Sequence, residues 1–353
     1  MQLEAQNDMK YRKLGSTDID VSVICLGTMT YGEQNTEQEA HDQLNYAVDR
    51  GINFIDTAEL YPVPARAETQ GLTEDYIGTW LEQRGKRDDL IIATKICGPG
   101  PYTHHIRKDS DYTLESIKTA LEGSLKRLRT DYVDLYQIHW PARKTNYFSN
   151  RGFHKKDRWE NNIPEIVHAL EQIVKSGKVR YVGISNETPF GLMEYINAAR
   201  DSDVLKIQTV QNPYNLLNRT YEVGMSEMSL RNSIGLIAYS PMAFGLLSGK
   251  YHKKTDTDRD RLNLFKDKMA RYRSDQSYLA TGEYMKIAEK HGMTLAQMSL
   301  AWVNRQEFVD ANIIGATTLE QLKENIESID IELSKEIIKE INAIQDAIPN
   351  PAL

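Results

Sequence analysis

Apolar positions along the chain follow two periods in turn, and that repeated switch of period sets the first expectation about the fold. Eight short apolar runs recur: "VSVICLG" (21–27), "INFIDTA" (52–58), "LIIATKI" (90–96), "VDLYQIHW" (133–140), "VRYVGISN" (179–186), "IQTVQNPY" (207–214), "GLIAYSPM" (235–242) and "ANIIGATT" (311–318). Several are almost continuously apolar, as expected for strands buried on both faces of a parallel sheet. Each is followed by a stretch of helical period. In "TEQEAHDQLNYAVDRG" the residues Ala40, Leu44, Ala47 and Val48 form one face, and Gly51 closes the end. "TLESIKTALEGSLKRLRT" repeats the arrangement, with Thr113 and Ser116 near its start and basic residues in its last turn. Eight strand–helix units predict an α/β fold, a single-domain (β/α)₈ TIM barrel over residues 9–353, behind a polar lead-in at 1–8. A doubly wound sheet is the competing arrangement. It is weakened because no G-x-G-x-x-G opens a first βα unit, and "GPGP" (98–101) does not qualify. Three connections are long, at 97–112, 141–162 and 243–277, and all follow strands. On a barrel they lie at the C-terminal mouth, where function sits.

Composition narrows the class of function. The 353 residues are 40% hydrophobic, ample for a core, and the net charge of −7 argues against general nucleic-acid binding. No apolar run approaches the roughly 18 residues of a membrane span. The start "MQLEAQNDMK" has neither a basic segment nor an apolar one of the secretory type, so a cytoplasmic location is expected. Cys25 and Cys97 both fall in strand-like runs, where reduced, buried thiols are expected.

The polar residues that interrupt the apolar runs collect at the C-terminal ends: Asp56, Lys95, His139, Ser185 with Asn186, Gln211 and Tyr239. Tyr61 follows Asp56 by five residues. Each has a bland reading alone: Asp56 as a helix cap, Lys95 as a snorkelling end residue, His139 as a satisfied core histidine. Gathered on one barrel rim, they predict a shared polar site. A phenol with an ordinary pKa near 10 shares its proton poorly at neutrality. A lysine ammonium beside it, held by an aspartate, is expected to bring that proton within reach and make Tyr61 a general acid. His139 can donate a hydrogen bond to a carbonyl oxygen and orient it. Nothing in the set is a good nucleophile, and the clustered ligands of a catalytic metal are missing, so no metal is expected. The set suits proton delivery to a carbonyl oxygen while a hydride donor, supplied by a cofactor, attacks the carbon.

From "YRKLGSTDIDVSVICLGTM" to "IIGATTLEQLKENIESI" the sequence resembles the aldo-keto reductase family over nearly its full length. The resemblance implies a catalytic tetrad of Asp56, Tyr61, Lys95 and His139, with Trp140 beside Tyr61 and His139 at the substrate. It also implies NADP(H) lying extended across the barrel mouth. Ser185, Asn186 and Gln211 would bind the carboxamide, and Tyr239 would stack on the nicotinamide. Gly27, Thr28, Met29 and Asp56 would lie along the same groove. "YSPMAFGLLSGK" (239–250) would hold the pyrophosphate through Ser240, Pro241, Met242, Gly245, Leu247, Ser248 and Lys250. The segment "GATTLEQLKEN" would hold the adenosine phosphate through Gly315, Thr317, Gln321, Glu324 and Asn325, at a helix start whose free N–H groups suit an anion.

Three positions depart from the family's common pattern. Pro62 follows the tyrosine where glycine is frequent, Ile314 stands where many relatives have proline, and Gln321 stands where some carry an arginine on the 2′-phosphate. The loop "RKTNYFSNRGFHKKDRW" (143–159) carries six Lys or Arg against one Asp and reads as solvated more readily than as a substrate clamp. The expected function is NADP-dependent reduction of an aldehyde or ketone, with a small carbonyl compound as partner and neither nucleic acid nor membrane. The sequence carries no mark of oligomeric state. The alternative, from another class, is a cofactor-binding regulatory or redox-sensing subunit like the channel-associated β subunits of the same family. A barrel isomerase or metal hydrolase would need metal ligands that the sequence lacks.

Overall fold

Eight parallel strands with two-residue alternation close into one barrel in the computed structural model, which describes residues 9–108, 111–146, 148, 150, 152–154, 156, 159–265 and 270–353. An antiparallel hairpin comes first, β1 (Tyr11–Lys13) with β2 (Asp20–Ser22). The barrel strands are β3 (Ile24–Gly27), β4 (Phe54–Asp56), β5 (Ile91–Ile96), β6 (Val133–Ile138), β7 (Val179–Ser185), β8 (Ile207–Pro213), β9 (Gly235–Tyr239) and β10 (Val309–Ile314). They pair in chain order, and β10 closes the ring against β3. All eight apolar runs therefore coincide with a barrel strand. Two differ in detail: β10 begins at Val309, two residues before the run at 311–318, and the first residues of the run at 21–27 belong to the hairpin, so only Ile24–Gly27 enters the barrel. The polar lead-in assigned to residues 1–8 lies outside the described residues.

The continuous runs are explained by two distinct apolar environments. One face of each strand packs inward, where Cys25, Phe54, Ile91, Ala93, Leu135, Ile237, Ala311 and Ile313 form an inner cluster with Leu14, Ile19 and Val21 of the hairpin region. The hairpin region thus completes the packing inside the barrel. The other face, including Ile24, Leu26, Ile55, Ile92, Ile96, Tyr136 and Ile138, packs on the surrounding helices. β5 and β6 are buried at every residue. Both cysteines are free and buried, as expected.

The helices begin where the sequence supplies caps. Thr36 and Glu39 form a reciprocal capping box for Glu37–Asp49, and Thr113 accepts from the Ser116 N–H ahead of Leu114–Leu128. Among the described residues, no helix is long and apolar enough to cross a membrane.

Candidate active site

The alternation that buries Phe54 inside the barrel puts Asp56 one layer higher on the same face, because side chains two apart share a side. The same parity carries Lys95 above Ala93 and Gln137 above Leu135, while Gln211 reaches them from β8. The barrel interior therefore changes from apolar to polar within a single layer.

In that layer Lys95 Nζ donates to Asp56 Oδ2 at 2.7 Å and to the Thr57 carbonyl at 2.7 Å. Asp56 is 2% exposed and Lys95 is 0% exposed. Gln211 Nε2 donates to the other aspartate oxygen at 2.8 Å, with Gln137 Nε2 at 3.4 Å from it. A buried carboxylate with both oxygens satisfied cannot turn from its lysine. Burial pulls the Lys95 ammonium down, but the Asp56 carboxylate and Tyr61 outweigh it, and its pKa ends above the ordinary value. Lys95 stays charged.

Tyr61 hangs over this pair from the turn after β4. The Lys95 nitrogen lies 4.9 Å from the centre of its ring. The sequence led to the expectation that Lys95 would make this phenol the stronger acid. The net direction is the opposite: burial raises its pKa above 10, Lys95 pulls it down, and Asp56 raises it. Lys95 offsets part of a desolvation cost that the enclosed turn imposes. His139 stands edge-on to Tyr61, with ring centres 5.7 Å apart, and its own ring lies 4.9 Å from that of Trp140. Burial, then the Lys95 charge, lowers its pKa well below 6.5, so the imidazole is neutral. Its Nδ1 is buried and has no protein partner.

The expected carboxamide residues are gathered but tied to one another. Ser185 Oγ donates to the Gln211 carbonyl at 2.7 Å, and Asn186 Nδ2 donates to the His139 carbonyl at 2.9 Å. Tyr239 donates to Asn186 Oδ1 at 2.7 Å. Gly27 ends β3 beside Asp56, and Thr28 Oγ1 donates to the Asp56 carbonyl at 2.8 Å, with the half-buried Met29 next in the chain. After β9 the backbone turns repeatedly through positive φ, at Ser240 (54°), Ala243 (47°), Phe244 (60°) and Gly245 (96°). Pro241 and Met242 lie within that turn, and a short 3₁₀ segment, Ala243–Ser248, carries Leu247 and Ser248. A Cβ on Gly245 would sit in ordinary contact with the Tyr251 side chain, whose hydroxyl lies 3.8 Å away. Lys250, expected at a phosphate, pairs with Asp260 at 2.6 Å.

The loop after β3 touches both this connection and the segment after β10. Gln34, after β3, donates to the Arg259 carbonyl at 3.3 Å, and Asn35 donates to the Thr317 carbonyl at 3.0 Å. Just past β10, a Cβ on Gly315 would meet nothing within 4 Å. Thr317 is occupied locally, its N–H and hydroxyl both donating to Gln321 Oε1 at 3.0 and 3.1 Å. Asn325 donates to the Gly315 carbonyl at 3.2 Å, while Glu324 accepts from Thr294 and so faces the neighbouring helix.

Sequence reasoning missed Gln137 and Arg261. The first was legible from strand parity, two positions before His139. The second sits in the 243–277 connection, where no period marks it. Arg261 packs its guanidinium over Phe244 at 3.9 Å, and its Nε and Nη2 are buried without a hydrogen-bond partner. Burial lowers its pKa to about 10, so it remains a cation at neutral pH. Arg273 Nε and Nη2 are likewise unpartnered. Of the basic loop, Arg143 turns inward and pairs with Glu187, and Lys155 lies outside the described residues.

A parallel eight-stranded barrel with an Asp–Lys pair beneath a tyrosine at its C-terminal mouth defines a class, and the relatives of the chain specify it. Residues 23–346 match the Aldo/keto reductase family, and the chain belongs to that family of oxidoreductases. It is similar to Protein tas of Escherichia coli, at 47% identity over 350 residues, covering 98% of this chain and all of the relative. It is also 35% identical over 345 residues to the uncharacterized oxidoreductase YrpG of Bacillus subtilis, covering 97% of each chain. An aldo-keto reductase of Babesia bovis is 36% identical over 251 residues, covering 67% of this chain and 88% of the relative.

Proposed function

We propose that this protein is a cytoplasmic NADP(H)-dependent carbonyl reductase that converts aldehydes or ketones to alcohols. The observation that carries the reading is the buried Asp56–Lys95 pair set 4.9 Å beneath the Tyr61 ring, with neutral His139 beside it. The mouth fits a phosphate-bearing dinucleotide. Unpartnered guanidinium nitrogens of Arg261, stacked over Phe244 of the turn after β9, offer a cation, and the backbone at Gly315 is open, since a Cβ there would meet nothing within 4 Å. When bound there, NADPH supplies the hydride.

The residues of the chain do the rest. Ser185, Asn186, Gln211 and Tyr239 would hold the nicotinamide, and the 240–250 turn with Arg261 would hold the phosphates. His139, being neutral, keeps an N–H to orient a carbonyl oxygen, and it brings no charge that would compete with Lys95 for the phenol. Tyr61 delivers a proton to the oxygen as negative charge develops there, and the Lys95 ammonium stabilises the phenolate left behind. Asp56, fixed by Gln211 and Gln137, keeps Lys95 protonated and in place. Trp140, buried against His139, closes one wall of the substrate opening.

The test is NADPH oxidation by purified protein against a panel of aliphatic and aromatic aldehydes and ketones. Turnover on members of the panel is expected. A protein that binds NADPH but reduces no carbonyl of the panel would be a cofactor-binding sensor instead.

A further inference from the structure

Glu59 lies two residues before Tyr61, is 3% exposed, and grips the end of β5 with both its backbone and its side chain. Its N–H donates to the Lys95 carbonyl at 3.1 Å, and its Oε2 accepts from the Cys97 N–H at 3.1 Å. The turn that bears Tyr61 is therefore fastened to the strand that bears Lys95, directly at that lysine and two residues beyond it. Gln70 adds a bond to the Glu59 carbonyl at 2.7 Å. A carboxylate so enclosed needs a counter-charge, and Arg107 provides it from the long connection after β5. The guanidinium donates to both Glu59 oxygens, Nη2 to Oε2 at 3.0 Å, and the same Nη2 lies 3.3 Å from the Cys97 sulfur.

We propose that Glu59 and Arg107 are positioning residues for proton delivery by Tyr61, through which the connection after β5 sets how the phenol meets Lys95. This rests on the reading of Tyr61 as proton donor given above. The pair is internally neutral, so it adds little net field at Asp56 and Lys95. Its effect is on placement, and a misplacement of about 1 Å can cost on the order of 10²-fold in rate.

The experiment uses the full chain with NADPH and 4-nitrobenzaldehyde. Single-turnover rate, KM and NADPH dissociation constant are measured for Glu59→Gln, Arg107→Met and Arg107→Lys, each alone and combined with Tyr61→Phe. Glu59→Gln and Arg107→Met should slow reduction by roughly 10- to 100-fold, with KM and cofactor affinity within about threefold, and Arg107→Lys should recover most of the rate. In the Tyr61→Phe background the same changes should cost less than about threefold, because the step they serve is already gone. Equal losses in both backgrounds would make the pair a structural fastening only, and wild-type rates throughout would also overturn the proposal. Should Glu59→Gln fail to fold, the Arg107 variants, which alter the more exposed partner, carry the same comparison. If Tyr61→Phe alone retains the wild-type rate, the functional reading falls and takes this proposal with it. A slow Tyr61→Phe with additive losses sinks this proposal alone.

Discussion

Removing the phenol oxygen and removing the ammonium beneath it should damage the same step in different ways. Tyr61→Phe keeps the ring against His139 and deletes only the proposed proton donor. General acid catalysis is worth about 10²–10⁴-fold, so the single-turnover rate should fall by that order. For Lys95→Met the structure gives a magnitude. A unit charge about 5 Å from the centre of the ring that carries the developing phenolate, at an effective dielectric of roughly 20, contributes about 3 kcal/mol. That is about 10²-fold in rate if most of it is realised in the transition state. Lys95→Met also strands a buried carboxylate, so Asp56→Asn/Lys95→Met is the cleaner variant and should show the same rate loss with better folding. The pH profile separates field from fold. As the proposed acid, Tyr61 must be protonated to act, and burial holds its pKa above 10. Wild-type reduction should therefore be flat from neutrality upward and decline only as pH rises through that elevated value. His139 is neutral unless the pH falls well below 6.5, so no acid limb should appear in the neutral range. Loss of Lys95 should lower the plateau and push the alkaline limb higher still. Single-turnover NADPH oxidation between pH 5.5 and 10.5, on the order of a dozen points per variant, measures the plateau and any alkaline limb that enters this range. An alkaline limb that moves to lower pH in Lys95→Met would refute the electrostatic reasoning, and an unimpaired Tyr61→Phe would refute the proton donor.

Three further outcomes follow from other regions. NADPH should bind at least about tenfold more tightly than NADH; Gln321→Arg, which frees Thr317 and adds a cation, should widen that ratio, and equal dissociation constants by fluorescence titration would remove the phosphate assignment at the 319–327 helix start. Arg143 and Glu187 form a buried pair that pins the 141–162 connection next to Asn186, so Arg143→Ala should lower stability by about 3–5 kcal/mol in denaturant unfolding; a loss below about 1 kcal/mol would mean solvent reaches the pair. Asp310, which accepts from the Gly15 N–H at 2.6 Å, has its pKa pushed up to about 7, by burial above all, with the Gly15 N–H and Arg12 opposing. The folded state then holds a proton that the unfolded state releases near pH 4, so this group's contribution to stability is lost as pH rises toward 7. Asp310→Asn should remove that loss, and identical pH dependence of unfolding between pH 5 and 8 for both proteins would count against it.

How much of this was legible beforehand follows from the range over which each feature is decided. Strand identity, barrel class and the gathering of Asp56 and Lys95 at the barrel mouth were readable because burial on both faces writes continuous apolar runs, and strand parity then fixes which residue tops each run. Asp56 above Phe54 and Lys95 above Ala93 are one-dimensional facts. The N-terminal hairpin was not separated from the first run, because Val21 and Cys25 are equally apolar although one lies in the hairpin and the other in a barrel strand. The direction of the Tyr61 pKa was misjudged for a related reason. A charge partner can be inferred from sequence spacing, but the desolvation that outweighs it depends on every group that closes over the turn. No period along the chain marks Glu59, Arg107 or Arg261, and Arg143 falls in the loop that reads as solvated. Their burial and partners come from connections returning over the barrel mouth, and such long-range pairings leave no local period in a sequence. The sequence determined which residues face one another across the barrel. Only the folded connections determined how dry that meeting place is and what holds its turns in position.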